Sequence, residues 1–230
     1  RQLAANLPRE GGLSNRNLLI NSEFNVNQRG VTSITGHTGN GAFTADRWLS
    51  YASGGITSTI SIQGVTLPNG VRTQSHKTVC TAGSGSWLHP FQKVESFGLG
   101  FLKGKTLTLS AWVKTNMTNQ KMRFCDGTSC YVIGDDIPND GEWHFISVNH
   151  TMRTDMVTGS ADHMQFQPAF TASGTPVVVG SYIEFALPQM EIGSSATPFE
   201  HRSFGDELAR SQRYFQTHYT LGSGTVNSSN

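Results

Sequence analysis

Recognition of a sugar needs flat aromatic faces to stack on the apolar side of a pyranose ring, and planar amides or carboxylates to bond the hydroxyls around it. This sequence offers both. Trp87 ends the segment Gly83-Ser84-Gly85-Ser86-Trp87, whose small residues let an indole stand out from the surface. Trp112, His163, Gln165, Gln167, Tyr182 and Glu184 fall on the polar side of segments that alternate apolar and polar residues. Together with Trp87 these are the candidate ligand-binding residues, the alternative for Trp112 being a core residue under a covering loop and for Trp87 a place in the core. Trp48 and Trp143 stand where strands begin and are expected in the core.

Other reactive groups point less far. Cys125-Asp126-Gly127-Thr128-Ser129-Cys130 places an Asp-Gly turn between two cysteines that face each other across a hairpin. Their expected state is reduced, with a disulfide or a zinc site drawing on His144 or His150 as the alternatives. With Cys80 the cysteines number 3, so no complete disulfide framework is possible. Asp135 and Asp136 could be imagined as the acid and base of a glycosidase, but neighbours on an extended chain point to opposite sides and cannot flank one bond. There is no Gly-x-Ser-x-Gly elbow, phosphate loop or His-Glu-x-x-His. No catalytic residue, metal or cofactor is assigned, and the chain is expected not to be an enzyme.

The elements that must hold these groups read as short strands. Lys105 to Lys114 puts Leu107, Leu109, Ala111 and Val113 on one face and Thr106, Thr108, Ser110 and Trp112 on the other. Similar runs occupy Phe43–Tyr51, Thr57–Val65, Lys77–Cys80, Trp143–Asn149, His163–Phe170 and Val177–Leu187, separated by turns such as Pro68-Asn69-Gly70 and Asn139-Asp140-Gly141. One helix is expected over Phe204–Phe215, capped by Ser203, with Asp206 and Glu207 in its first turn and Phe204, Leu208, Ser211 or Gln212, and Phe215 at helical spacing. A helix this short needs an apolar surface to dock on, either the sandwich or copies of itself. The fold class is therefore all-β, an antiparallel β-sandwich over residues 17–200, which the resemblance given below makes a jelly roll. It follows an N-terminal linker or arm (1–16) and precedes a link and helix (201–217) and a flexible tail (218–230).

Composition narrows the setting. Of the 230 residues 36% are apolar and only 14% charged, and net charge is +1, so Ser, Thr, Asn and Gln must wet the surface. Nucleic-acid binding through released counterions has no basic block to work with. No apolar run approaches the length that spans a bilayer as a helix, so no membrane insertion is expected. Arg1 in place of a start residue gives the expectation that the chain is a processed or excised part of something longer.

Four stretches carry a resemblance: Asn17-Leu-Leu-Ile-Asn-Ser-Glu-Phe-Asn-Val-Asn-Gln-Arg-Gly30, Phe43-Thr-Ala-Asp-Arg-Trp48, Gly104 to Lys114, and Gln189 to Gln216. In this order they resemble the jelly-roll domains of bacteriophage tail fibres and receptor-binding proteins. The resemblance implies a carbohydrate-binding-module-like sandwich on a virion appendage outside the cell. It also implies a homotrimer attached to other virion proteins on its N-terminal side, and it names no ligand; with the aromatic and amide candidates the expected partner is a host cell-surface glycan. A purely architectural head fibre, capsid decoration or tail connector is the alternative, and a polysaccharide-degrading tail enzyme a second one. Related domains often hold calcium with the first loop and an acidic residue of the last strand; here the loop offers Asn21 and Glu23, but Leu187-Pro188 stands where the acid is common.

Overall fold

The computed structural model describes residues 15–94, 99–126, 129–155, 164–171 and 176–216. Its strands are β1 Ser33–His37, β2 Gly39–Phe43, β3 Trp48–Ala52, β4 Ile56–Thr66, β5 Arg72–Gly83, β6 Leu88–Val94, β7 Thr106–Thr115, β8 Gln120–Cys125, β9 Cys130–Ile133, β10 His144–Thr151, β11 Met164–Thr171 and β12 Tyr182–Ile192. A single α-helix among the described residues, α1, covers Phe204–Gln212. The chain passes back and forth between two antiparallel sheets, ordered β1-β4-β5-β12-β7-β10 and β2-β3-β6-β11-β8-β9. This is the expected jelly-roll sandwich.

The alternation expected in β7 is realised: Leu107, Leu109, Ala111 and Val113 are fully buried between the sheets. They meet Met122, Phe124 and Phe166 of the second sheet in one core cluster. Trp48 is buried in the same core, its indole N–H donating to the Asn21 carbonyl at 3.0 Å and its ring 5.5 Å from Phe24 and 5.0 Å from Phe185. Strands that both carry inward-facing apolar residues at a period of two can bury one face each, which is what fixes their register.

Prolines shape the strands without ending them. Pro168 and Pro188 sit where the pairing slips, between Gln167 and Phe170 in β11 and between Ala186 and Gln189 in β12. A bulge is where a residue lacking an N–H costs the ladder least. In β12 the slip includes Leu187 at a φ of +49°, and it keeps Met190 in the core beyond the bulge.

The helix corrects its expectation. Ser203 caps it as expected, accepting from the Asp206 N–H at 3.1 Å, and Ser211 of the spaced residues is buried, but the helix ends at Gln212 and its other inward residue is Glu207. Phe204 is 59% exposed. What seats the helix is polar: Glu207 accepts from the Asn21 N–H at 2.7 Å and from Arg202 at 3.1 Å, and Arg202 also reaches the Leu19 and Asn17 carbonyls and Glu200. Beyond the helix, Phe215 lies 3.5 Å under the Arg29 guanidinium, which is also paired with Asp46.

Candidate functional site

On the outer face of the sheet β2-β3-β6-β11-β8-β9, side chains that alternate away from the core line a groove of about 570 Å³. Tyr51 comes from β3, His89, Phe91 and Lys93 from β6, Gln165 and Gln167 from β11, and Arg123 from β8. Registers arrange them in rows. Gln165 lies between Lys93 and Cys125, Gln167 is opposite Arg123, and Tyr51 is opposite His89. Trp87 stands at the groove just before β6 and is 42% exposed.

The indole is held by its own backbone. Ser53 Oγ accepts from the N–H groups of Ser86 and Trp87 at 3.0 and 3.1 Å, and the Ser53 N–H donates to the Trp87 carbonyl at 2.9 Å. Gly85 exchanges two hydrogen bonds with Val177, and a Cβ at this glycine would come within 2.6 Å of Ser53 Oγ. The sequence suggests a loose glycine-serine loop; in the structure the glycine is there for close packing, and the exposed ring sits on a fixed base.

The groove floor is aromatic and electrically uneven. His89 is packed 5.2 Å from both Tyr51 and Phe170, and its pKa is pushed down to about 3, mainly by burial and further by the Arg123 charge. It is a neutral imidazole at ordinary pH. Arg123 lays its guanidinium over Phe170 at 4.1 Å. Two buried polar atoms, His89 Nδ1 and Gln167 Oε1, have no hydrogen-bond partner among the described residues. Such atoms leave a cost of desolvation unmet until a partner reaches them.

The other candidates lie on the far side of the sandwich. Trp112, from β7, lines a second groove of about 480 Å³ with Phe145, Phe199 and Leu187, and its ring is 5.5 Å from Phe145. Glu184 is 3% exposed and already accepts from Gln63 at 2.6 Å and Ser75 at 2.7 Å, with Lys77 at 3.6 Å. Tyr182 lies under the Lys77 ammonium at 4.8 Å. His163 lies outside the described residues. Trp87, Gln165 and Gln167 thus share one groove, while Trp112, Tyr182 and Glu184 belong to the opposite sheet. Trp143 is partly buried and packs with Trp112 and Phe199 around Leu67, Ala186 and Leu187.

Two further expectations change. Cys125 and Cys130 form a disulfide across directly paired positions of β8 and β9 at the groove edge, instead of standing reduced. With both sulfurs in the disulfide the zinc alternative loses its thiolates, and His150 packs its ring 4.3 Å from Tyr131. The first loop does not fit calcium either. The Asn21 side chain donates to the carbonyls of Val26 and Asp46 at 2.8 and 2.9 Å, so an amide N–H₂ group occupies the oxygens that a hard cation would need. Glu23 pairs with His201 at 2.9 Å.

The sequence alone does not single out Tyr51, His89, Phe91, Lys93 and Arg123. Their only signal is one residue in two along β3, β6 and β8, and β6 is obscured by Pro90, an unusual residue for a strand paired on both sides.

No family model matches the chain, and a search of curated proteins returns no match. Solved structures of similar shape include the CBM22-1 xylan-binding domain of Xyn10C from Paenibacillus barcinonensis, at 14% identity and a TM-score of 0.43, covering 71% of this chain and 94% of that one. A cyclase from Fischerella sp. TAU is 12% identical at a TM-score of 0.47, covering 77% and 96%. The enzymatically active domain of tailspike protein 4 from bacteriophage CBA120 is 11% identical at 0.43, covering 77% of this chain and 21% of that one. The cyclases are enzymes, and this finding overturns the expectation that the chain is not one; likeness at this level concerns shape and assigns no reaction.

Proposed function

We propose that the chain is a glycan-binding module whose ligand lies on the outer face of the sheet β2-β3-β6-β11-β8-β9. Trp87 stacks on a sugar ring, and Gln165 and Gln167 bond its hydroxyls. The observation that carries the reading is the exposed indole on a fixed base, standing over a groove whose floor holds two polar atoms, Gln167 Oε1 and His89 Nδ1, without a partner among the described residues. A groove of about 570 Å³ is within the usual size for a small ligand or a few sugar units. Trp112, Tyr182 and Glu184 serve the opposite sheet in this reading, as packing and ion-pair residues.

The proposal extends to a setting. The resemblance of Asn17–Gly30 and Gln189–Gln216 to phage fibre domains supports a virion appendage built as a homotrimer and attached to a host surface. Three weakly binding sites on one fibre then hold a cell by avidity. The exposed Phe204 of α1 is the natural place for a subunit contact.

The test is a glycan array and host-envelope binding assay with purified protein, beside Trp87→Ala. Binding is expected in the native chain and a loss of at least about tenfold in the variant, with Tm within a few degrees because the ring is exposed. Absence of binding by the native chain would reject the reading and favour an architectural appendage. Sedimentation tests the trimer: a monomer of the native chain at micromolar concentration removes the avidity argument.

A further inference from the structure

The charged side chains of the groove are all of one sign. Among its described lining residues, Lys93 and Arg123 are cations and there is no Asp or Glu. Elsewhere some basic groups have acidic partners: Arg29 has Asp46, Lys77 has Glu184, Lys121 has Asp136, Arg153 has Asp155, and Arg202 has Glu200 and Glu207. No such ion pair joins Lys93 or Arg123 among the described residues.

Their placement converges. Lys93 is paired across from Gln165 and Arg123 across from Gln167, so the two cations flank β11 from opposite sides with the two amides between them. At ~4.8 Å per strand step and ~3.3 Å per residue of the two-residue offset they start roughly 12 Å apart, and side chains of this length close that gap over one bound sugar. Arg123 lays the face of its guanidinium on Phe170, at 4.1 Å, a contact that does not engage its in-plane N–H donors. A partly buried guanidinium fork without a carboxylate suits a planar or tetrahedral anion.

We infer that the groove selects an anionic glycan, whose carboxylate or phosphate is held between Lys93 and Arg123 while Gln165 and Gln167 bond its hydroxyls. This rests on the glycan-binding reading above and adds the class of sugar. A neutral glycan of the same shape leaves both cations without a partner and binds more weakly.

The experiment uses matched pairs. Oligogalacturonate, hyaluronan fragments and oligosialic acid are compared with their carboxyl-reduced, neutral counterparts, and phosphorylated oligomannose with the dephosphorylated form, on the full chain by calorimetry. The expected result is binding of at least one acidic member, at least about tenfold tighter than its neutral partner. Affinity should fall as salt rises, because partly exposed charges are screened. The carboxyl-reduced and dephosphorylated arms tell which anion is read. Lys93→Gln, at a partly exposed position, and Arg123→Lys, which keeps the charge and loses the fork, should each narrow the acidic-to-neutral ratio with Tm unchanged. Equal binding of both members of every pair, with Trp87→Ala still abolishing it, would overturn the anionic selectivity and leave the glycan reading standing. No binding of any acidic or neutral glycan would overturn both.

Discussion

At the scale of single residues, exposure and partnership separate the groups that hold the molecule together from those that wait for a ligand. His76 belongs to the first kind. It is fully buried against Phe24 and Phe185, its ring nitrogens have no partner in another residue, and burial pushes its pKa down to about 3. An unfolded imidazole titrates near 6.5, so between that value and about 3 the unfolded chain binds more protons than the folded one. The same holds for His89. Stability is therefore full above pH 6.5 and falls as the pH drops, by at most ~1.4 kcal/mol per pH unit for each histidine. His76→Phe keeps the ring and removes the titration, and the loss of Tm between pH 7 and pH 4 should shrink in that variant. An undiminished loss would mean that His76 is not the group responsible. Legibility follows the same division. Trp87 could be found because small residues around a large aromatic are visible in sequence, whereas Arg123 and Lys93 became a pair only when β11 was laid between their strands.

At the scale of elements, the strand and the turn before it decide where the indole points. Ser53 Oγ satisfies two consecutive N–H groups, those of Ser86 and Trp87, at 3.0 and 3.1 Å. Ser53→Ala leaves both without this acceptor, and a cost of ~1–3 kcal/mol in denaturant unfolding is expected, together with weaker glycan binding. Unchanged stability and binding would show that the indole is placed by some other contact. The alternation of β7 and the Ser203 cap were readable because each is a local pattern with a single physical cause. The inward face of α1 was not. Spacing alone favours Phe204, Leu208 and Ser211 or Gln212, and Ser211 is buried, yet the surface beneath the helix presents the Asn21 N–H and Arg202, so Glu207 turns inward as well. β6 escaped because Pro90 reads as an interruption, and the extra length of β5 because its residues Arg72–His76 are polar.

At the scale of the whole molecule, the two-sheet topology sorts the candidate residues into two sets that cannot act on one ligand. An alternating pattern says which side of a strand faces out but not which sheet owns the strand. Hence Gln165 and Glu184 look equivalent in sequence and end on opposite surfaces. The central claim is that the face bearing Trp87 is the one that binds. The direct measurement is a side-chain NMR titration of the native chain with the tightest glycan from the array, following the four tryptophan indole N–H signals and the glutamine amides. The account predicts shifts at Trp87, Gln165 and Gln167 with Trp112 unmoved; shifts centred on Trp112, or no shift at Trp87 at saturating glycan, would contradict it.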